Sequence, residues 1–357
     1  MKILYISPEN TVGILNSWKE IHEAHGHEVR FITFYKNKNL YDDDICLNLP
    51  MVSTHFLYIR LRELFFRLYK YKKYDDIVEG FPPTYSSSGI LERLFYRCRD
   101  WWWKKTIYQV VRDYNLFDYD IYHFEWGLDF FRDSRFGKEL KKRGKKIVCH
   151  YHGQDMRTRG VIKTMDKLSD LNLTNEIDLL SMHPNIHHIF LPYRLKYKRL
   201  QNNPTTIRVC HSPTNRGYKG TDDILRIVNQ LQKKLTFEFV LIENLSHHRA
   251  MLIKSRCNIF IDQITDIGGW GYGMSTIEAM SLGLCCICKL QPGFHKLSNN
   301  PPIISADKNN LGSVLESLIA DRSQVKDFGD RAASWCYENH GYENVSKNLY
   351  KYYKNIS

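Results

Sequence analysis

The sequence predicts an α/β protein with two Rossmann-like domains that face each other across a cleft. Short apolar segments alternate with helical segments in two series, one ending near residue 193 and one beginning near residue 206. This alternation is typical of βαβ units, whose strands form a parallel sheet. The chain has 357 residues and 43% hydrophobic content, which is enough for two domains with a core each.

The first domain is expected over residues 1–198. KILYIS at 2–7, helical spacing at 14–25 and HEVRFITFY at 27–35 predict its first strand, helix and strand. The pattern continues with a strand at 120–126, a basic helix that ends at Lys142 and the strand KKIVCHYHG at 145–153. HHIFLPY, 187–193, is predicted to be the last strand of this domain.

The second domain is expected over 199–335. Its predicted strands are 206–212, 237–243, 258–263 and 285–289, and its predicted helices are 221–234, 247–256 and 274–283. Residues 336–357 are predicted to be helical and to pack back on the first domain. Ligands of such proteins bind at the carboxyl ends of the strands, so we expect the site there and a hinge near 193–205 whose closure is part of turnover.

Charge and cysteine content suggest where the protein works. Residues 51–250 hold 35 Lys and Arg against 22 Asp and Glu, so the net charge of +12 comes from the middle of the chain. This excess fits a phosphate-bearing ligand, an anionic membrane or nucleic acid, or simply a lysine-rich surface. Nine cysteines without metal or disulfide spacing fit buried free thiols in a reducing cytosol. The opening residues lack a signal-peptide pattern, and no apolar window is long enough for a membrane span, so a cytoplasmic location is expected.

The stretch GGWGYGMSTIEAM, 268–280, follows a predicted strand and leads into a predicted helix. Glycines allow close approach of a ligand, and the unpaired amides of a helix start attract an anion. The amides of Gly273 to Thr276 are therefore expected to hold a diphosphate, with Ser275 and Thr276 near the cap and Glu278 in the first turn. A glycine-rich turn with no ligand is the alternative reading.

A second loop, HSPTNRGYKGTDD at 211–223, follows the first strand of the second domain. Arg216 and Lys219 lie in it, at the edge where two cations would neutralise a diphosphate leaving group. Loop cations are usually only solvated. Because two such loops are expected on one edge of the sheet, each favours the interpretation of the other as a phosphate-binding loop.

Together, SPTNRGYKG and GYGMSTIEAMSLG resemble the second domain of retaining glycosyltransferases of family four, which have the GT-B fold. The resemblance is strongest over 206–290. It implies that Arg216 and Lys219 bind the donor diphosphate, that Glu278 binds the nucleotide ribose, and that the glycine-rich turn supplies phosphate-binding amides. The donor-binding residues expected on this basis are Gly13, Gly271, Tyr272, Gly273, Met274, Ser275, Thr276, Glu278, Asp262 and Gln263. It further implies a UDP- or GDP-linked sugar as donor, retention at the anomeric carbon, and no cofactor or dedicated metal ion.

One position departs from the family pattern. The family commonly has a Glu eight positions before the residue that matches Glu278, and that carboxylate contacts the donor sugar; here the position is Trp270. Asp262, Gln263 and Asp266 are the candidates to replace it. The sugar therefore stays open.

A third stretch, CHYHGQDMRTRG at 149–160, ends a strand of the first domain. The resemblance places a His near the reacting carbon of the donor, which makes His152 the first candidate and His150 the second, because strand alternation puts both on one face. Asp155 and Arg157 are expected to orient this His or to hold the acceptor. Gly13, at a helix start, is expected to face the diphosphate from the first domain.

Two segments have features of membrane-surface helices. Residues 55–76 combine an apolar stripe with six Arg and Lys, and RCRDWWWKK at 97–105 has three tryptophans between cations. Each is equally compatible with an ordinary packed helix. The histidines of 183–188 and 247–249 lack metal-site spacing and are interpreted as structural.

The leading hypothesis is a glycosyltransferase that acts on a cell-envelope glycan or a lipid-linked acceptor. One alternative is sugar transfer to nucleic acid, which the basic middle of the chain permits. The other is a sugar-nucleotide-binding protein that has lost catalysis along with the first Glu.

Overall fold

The computed structural model describes residues 1–37, 41–52, 60, 79–87, 89–194, 206–265, 271–291, 293–294 and 300–356. Contacts between Cα atoms divide the chain into two compact units, Met1–Ile189 with Ser346–Ser357, and Phe190–Val345. The second unit thus begins before the predicted boundary at 199, and the last residues belong to the first unit. Of the predicted membrane helix at 55–76, only Arg60 is among the described residues.

The first unit contains a seven-stranded parallel sheet in the order β3-β2-β1-β4-β5-β6-β7. Its strands are Lys2–Ser7 (β1), Glu28–Thr33 (β2), Ile45–Cys46 (β3), Ile121–Glu125 (β4), Lys146–Tyr151 (β5), Leu171–Thr174 (β6) and Ile186–His188 (β7). Its helices are Ile14–Ala24 (α1), Ile90–Asp113 (α2), Arg135–Lys142 (α3), Lys163–Leu168 (α4) and Leu179–Met182 (α5). The last predicted strand, 187–193, ends at His188, and the chain enters the second unit at Phe190.

The second unit contains a five-stranded parallel sheet in the order β12-β11-β10-β8-β9. Its strands are Arg208–His211 (β8), Glu238–Leu241 (β9), Ile259–Ile261 (β10), Cys285–Cys288 (β11) and Ile303–Ser305 (β12). The helices of this part of the chain are Arg216–Lys219 (α6), Thr221–Leu231 (α7), His247–Lys254 (α8), Met274–Ser281 (α9), Leu311–Ala320 (α10), Arg322–His340 (α11) and Tyr342–Ile356 (α12). α12 begins in this unit and ends in the first.

Burial on both faces explains why the central strands read as continuous apolar runs. β1 is buried over Ile3 to Ser7, and β11 is buried over all four residues, Cys285 to Cys288. In a parallel sheet covered by helices on both sides, neither face of a strand meets water. All nine cysteines are free thiols and seven of them are buried, as predicted. No helix in the described part of the chain is long and apolar enough to cross a membrane.

Candidate functional site

The two loops predicted to bind phosphate emerge from neighbouring strands of the second sheet. β8 pairs in parallel with β10, with His211 opposite Ile261 at their carboxyl ends. The loop after β10 is bonded to α6, the helix after β8: Ile264 N donates to Lys219 O at 3.2 Å and Thr265 Oγ1 donates to Tyr218 O at 2.5 Å. The two loops therefore form one continuous edge, which we call the phosphate edge: residues 215–220, 262–265 and 271–278.

Lys219 lies at the centre of the phosphate edge. Its Nζ is 2.6 Å from Asp262 Oδ1, and Asp262 Oδ2 accepts a 2.7 Å hydrogen bond from Thr276 Oγ1. Burial alone would raise the pKa of Asp262, but the Lys219 ammonium and the Thr276 hydroxyl lower it, so the carboxylate is charged. Burial works against the charge of Lys219, but Asp262 raises its pKa. This chain of contacts links α6, the loop after β10 and α9 through a buried ion pair.

Arg216 begins the same short helix and is placed differently. Its side chain is half exposed, with Nε 3.3 Å from Glu243 Oε1 and 3.9 Å from Asp222 Oδ1. Asn215 caps the helix by accepting a hydrogen bond from Tyr218 N. Exposed ion pairs of this length are weak, so Arg216 can exchange its partners for an anionic ligand at little cost.

The start of α9 differs from the prediction in its cap. Gly273 is the N-cap residue, and no side chain caps the helix, so Ser275 and Thr276 are its second and third residues rather than its cap. Gly273 accepts hydrogen bonds from Thr276 N and Ile277 N. The amides of Met274 and Ser275 precede the first intrahelical bonds, as at any helix start. A Cβ at Gly273 would meet no described atom within 4 Å, so none of the described residues crowds the backbone at this position.

Glu278 is the fifth residue of α9 and so begins its second turn, rather than lying in the first turn as predicted. Its Oε1 is 2.7 Å from His247 Nε2, and its Oε2 is 2.7 Å from the Nζ of Lys254, which is only 2% exposed. Burial opposes the charge of Glu278, but Lys254 and His247 lower its pKa. Lys254 also donates to Ser275 Oγ at 2.8 Å. The carboxylate predicted to bind ribose is thus held in place from α8.

The candidates to replace the missing family carboxylate have other partners. Asp262 is bonded to Lys219 and Thr276, and Gln263 Nε2 donates to Gly271 O at 2.8 Å. Tyr272 Oη is 3.0 Å from His340 Nε2. Trp270 and Asp266 lie outside the described residues.

In the first unit, two neighbouring strands bring together Glu125, His150 and His152. Glu125 and His150 are paired across β4 and β5, and both side chains are 1% exposed, whereas that of His152 is 22% exposed. Glu125 Oε2 is 2.5 Å from His152 Nε2 and 3.5 Å from His150 Nδ1. His152 Nδ1 is 2.9 Å from Asn175 Oδ1. Of the two candidate histidines, therefore, only His152 is accessible.

The Glu125 carboxylate controls the charge of His152. Burial would lower the pKa of this imidazole, but its hydrogen bond and charge interaction with Glu125 raise it to about 9. Burial likewise opposes the charge of Glu125, yet the two imidazoles lower its pKa. The pKa of His150 is lowered by burial and then by His152. At neutral pH the site holds a His152 imidazolium paired with a Glu125 carboxylate.

The same three side chains could each offer one metal-ligand atom, since these atoms lie within 4.8 Å of one another. However, two ligands about 2.0–2.2 Å from a tetrahedral metal ion lie more than about 3 Å apart. The 2.5 Å between Glu125 and His152 is instead the length of a short charge-assisted hydrogen bond. The geometry favours the hydrogen-bonded pair.

Asp155 and Arg157 were expected to orient His152 or to hold the acceptor. Neither forms a described hydrogen bond with the imidazole, although the charge of Asp155 helps to raise its pKa, and binding of the acceptor stays a prediction. Asp155 Oδ2 accepts a hydrogen bond from the backbone N of His152 at 2.9 Å, so it orders the turn after β5. Arg157 is held by two carboxylates, with 2.6 Å contacts to Glu176 and Asp178. Its guanidinium supports this turn instead of bonding to the imidazole.

The other positions singled out from the sequence are Gly13 and the histidines interpreted as structural. Gly13 has a left-handed φ of 71° and is the N-cap residue of α1, so the predicted helix start is present. His183 Nε2 is 2.8 Å from Asp166 Oδ1, which fits the structural interpretation of that histidine. His247 also has a structural partner, but that partner is Glu278 of the phosphate edge.

No protein-family model matches the chain, and no curated protein matches it. Solved structures match it over almost its whole length. A sucrose-phosphate synthase from Thermosynechococcus elongatus is 12% identical, with a TM-score of 0.61 and coverage of 100% of this chain and 99% of that one. HepE of Anabaena, solved in complex with UDP, is 12% identical with a TM-score of 0.59 and coverage of 99% and 100%. A glycosyltransferase from Rickettsia africae is 12% identical with a TM-score of 0.55 and coverage of 99% and 98%.

The chain has the GT-B fold. At this level of identity the likeness shows the fold class, two Rossmann-like domains, that the sequence predicts. Function must then be argued from the side chains of this particular GT-B protein.

Two buried groups of this GT-B protein, Glu125 and Lys254, were not among the residues predicted from the sequence. Each is a charged residue next to an apolar run, in IYHFEW and AMLIKSRC. A buried charge is costly unless it is paired, so such a residue signals a partner elsewhere. The partners, His152 and Glu278, are 27 and 24 positions away in sequence, and only the fold brings them together.

Proposed function

We propose that the protein is a glycosyltransferase that transfers a sugar from a nucleotide-diphosphate donor. The observation that carries the proposal is the phosphate edge, where a half-exposed arginine, a largely buried lysine and a helix start without a described side-chain cap follow two adjacent strands. The likeness to HepE, solved with UDP, and to a glycosyltransferase from Rickettsia africae supports it.

The chemistry at the phosphate edge would be electrostatic. When the bond between the anomeric carbon and the diphosphate oxygen breaks, negative charge develops on the leaving diphosphate. Arg216 can contact it by exchanging its weak exposed partners, and the Lys219 ammonium has three N–H donors, of which Asp262 takes one. The first amides of α9 add fixed dipoles. Each charged contact would lower the barrier by about 2–4 kcal/mol.

Other parts of the proposal rest on the resemblance to family four. These are retention at the anomeric carbon, a UDP- or GDP-linked donor, ribose recognition by Glu278, a role for His152 near the reacting carbon, and a cell-envelope or lipid-linked acceptor. As an imidazolium His152 cannot act as a base, and because Glu125 and Asn175 accept from its two ring N–H groups, its proposed role is to place positive charge near the sugar or to exchange one of these partners for it. We further propose the cytoplasm, at the inner face of the membrane, as the place of action.

The proposal is tested with the full chain in two steps. Thermal unfolding is measured with UDP, GDP, ADP and dTDP, each compared with its monophosphate; we expect one diphosphate to raise the midpoint and its monophosphate to do so much less. The matching labelled nucleotide sugar is then incubated with a lipid extract, and the product is analysed by NMR for the anomeric configuration.

Each outcome of this test decides between the hypotheses. Transfer that is lost in Lys219→Ala supports a transferase. Diphosphate binding without transfer to any acceptor indicates the non-catalytic alternative. Salt-sensitive binding to DNA together with sugar transfer to it indicates the nucleic-acid alternative. No stabilisation by any nucleoside diphosphate contradicts the proposal.

A further inference from the structure

The long helix α2 of the first unit presents one packed face and one exposed face. Asp100, Trp103, Ile107 and Val111 are buried. They repeat every three or four residues and so form one side of the helix. Trp103 is 2% exposed, and its Nε1 donates to Pro50 O at 2.8 Å. Of the three tryptophans of RCRDWWWKK, Trp103 is therefore the packed one.

Large apolar side chains occupy the opposite face. Trp101 is 78% exposed and Trp102 is 60% exposed. Three aliphatic side chains near the start of the helix are also exposed, Ile90, Leu91 and Leu94. At 100° per residue, Ile90, Leu94 and Trp101 lie within about 40° of one another around the helix axis. They form one stripe, with Leu91 and Trp102 beside it. We call these five residues the outer stripe.

Positive charge borders the outer stripe. The cations of α2 that are exposed are Arg93, Arg97, Lys104, Lys105 and Arg112. Of the three acidic residues of α2, Asp100 is buried, Glu92 accepts a hydrogen bond from Tyr85 Oη at 2.7 Å, and only Asp113, at the last position, is exposed. The exposed face therefore combines aromatic and aliphatic side chains with five cations and a single anion.

We propose that the outer face of α2 binds the surface of an anionic lipid bilayer. Tryptophan has an apolar ring and a polar N–H and favours the boundary between headgroups and acyl chains, while Lys and Arg pair with anionic headgroups. The inference deepens the proposed function, because a lipid-linked acceptor is presented at such a surface. Only this link to the acceptor rests on the proposed function; binding to the bilayer does not.

Charge and side-chain type favour lipid over other occupants. Nucleic acid would pair with the cations, but Ile90, Leu91 and Leu94 would gain nothing from a phosphate backbone. An acyl-chain boundary with anionic headgroups satisfies both the apolar and the basic residues.

The test is co-flotation of the full chain with vesicles of phosphatidylcholine, either pure or with about one-third phosphatidylglycerol. We expect binding to the anionic vesicles only, weakened by salt. The double variant Trp101→Ser with Trp102→Ser should reduce the partition coefficient at least about tenfold, and Lys104→Glu with Lys105→Glu should also reduce it. The matched control is Lys233→Glu with Lys234→Glu, an adjacent exposed lysine pair in the second unit, which should bind as the unmodified protein does.

Two results would overturn the inference: no binding of the unmodified protein to anionic vesicles, or equal binding by the tryptophan variant. If vesicle binding is absent and sedimentation shows a dimer that the tryptophan variant loses, the surface is an interface between copies of this chain. If an oligonucleotide abolishes vesicle binding of the unmodified protein and itself fails to bind the lysine variant, the surface is assigned to nucleic acid instead. Thermal stabilisation by the nucleoside diphosphate is measured in every variant. It verifies folding, and it separates failure at this surface from failure of the proposed function.

Discussion

At the scale of single residues, Glu125 controls the charge of His152 in the first unit. It is 1% exposed and bonds to the more accessible of two neighbouring histidines. Its backbone neighbour Trp126 has a left-handed φ of 61°, which is uncommon for an aromatic residue. Gly127 follows, at a position where a Cβ would lie 2.6 Å from the Tyr151 ring. Such strain is concentrated at functional sites.

The Glu125 and His152 pair makes stability depend on pH. The pKa of His152 is about 9 in the folded protein and about 6.5 when unfolded. The pair therefore stabilises the fold fully below about pH 6.5, and this contribution is lost as pH rises through about 9. In Glu125→Gln the raised pKa should disappear. Between pH 6 and 9.5 we expect the free energy of unfolding of the unmodified protein to fall by about 1–3 kcal/mol more than that of the variant.

Urea unfolding at a series of pH values measures this difference. Glu139→Gln is the control, because Glu139 forms exposed ion pairs with Arg143 and Lys142, and such pairs contribute little. Parallel pH profiles for the unmodified protein and Glu125→Gln would show that the carboxylate does not hold the charge on His152.

At the scale of elements, Gly220 determines how α6 meets the neighbouring loop. It has a left-handed φ of 71° between α6 and α7, and a Cβ there would lie 2.7 Å from Ile264 and 2.8 Å from Thr265. The hydrogen bonds from Ile264 and Thr265 to α6 depend on this close approach. The phosphate edge therefore requires glycine at this position.

Gly220→Ala should both destabilise the protein and weaken nucleotide binding. The control is Gly26→Ala, which has φ of 74° but no atom within 4 Å of its Cβ, so it reports backbone strain alone. We expect Gly26→Ala to cost about 1 kcal/mol and Gly220→Ala about 1–3 kcal/mol more. Thermal unfolding with and without the nucleoside diphosphate measures both effects. Equal destabilisation and unchanged binding would show that the loop does not need the contact.

The elements also show what the sequence could and could not predict. β1 spans the predicted residues, because a strand buried on both faces reads as an unbroken apolar run. β3, β6 and β12 were not predicted, since polar or proline residues closely flank each short apolar segment, in DDDICLNLP, SDLNLTNEI and NPPIISADK. The phosphate edge was predicted because two loops each had their own local signal. The pairs Glu125 with His152 and Lys254 with Glu278 were not, because no local pattern links residues so far apart.

At the scale of the whole chain, the C-terminal part of α12 packs within the first unit. Ser346–Ser357 is part of the first unit, where Tyr353 is 2% exposed and its hydroxyl lies 2.5 Å from His123 Nε2. Tyr350 Oη is 2.8 Å from His22 Nδ1. The chain end is therefore a structural part of the first core.

Tyr353→Ala should destabilise the first unit by about 3–5 kcal/mol, through lost burial and an unpaired His123. The control is Lys354→Ala, whose side chain is exposed and whose loss should stay within about 0.5 kcal/mol. Hydrogen exchange localises the effect: β1 and β4 should lose protection in the tyrosine variant. Unchanged protection there would show that the C-terminal segment does not stabilise this sheet.

The central claim is that the phosphate edge binds the diphosphate of a nucleotide donor, and calorimetric titration of the full chain with the nucleoside diphosphate found by thermal shift tests it most directly. Arg216→Ala should raise Kd about 10- to 100-fold, the loss of one charge-assisted contact. Arg226→Ala removes an equally exposed arginine of the next helix, paired with Asp223, and should leave Kd unchanged. The same Kd in both variants and in the unmodified protein would contradict the claim.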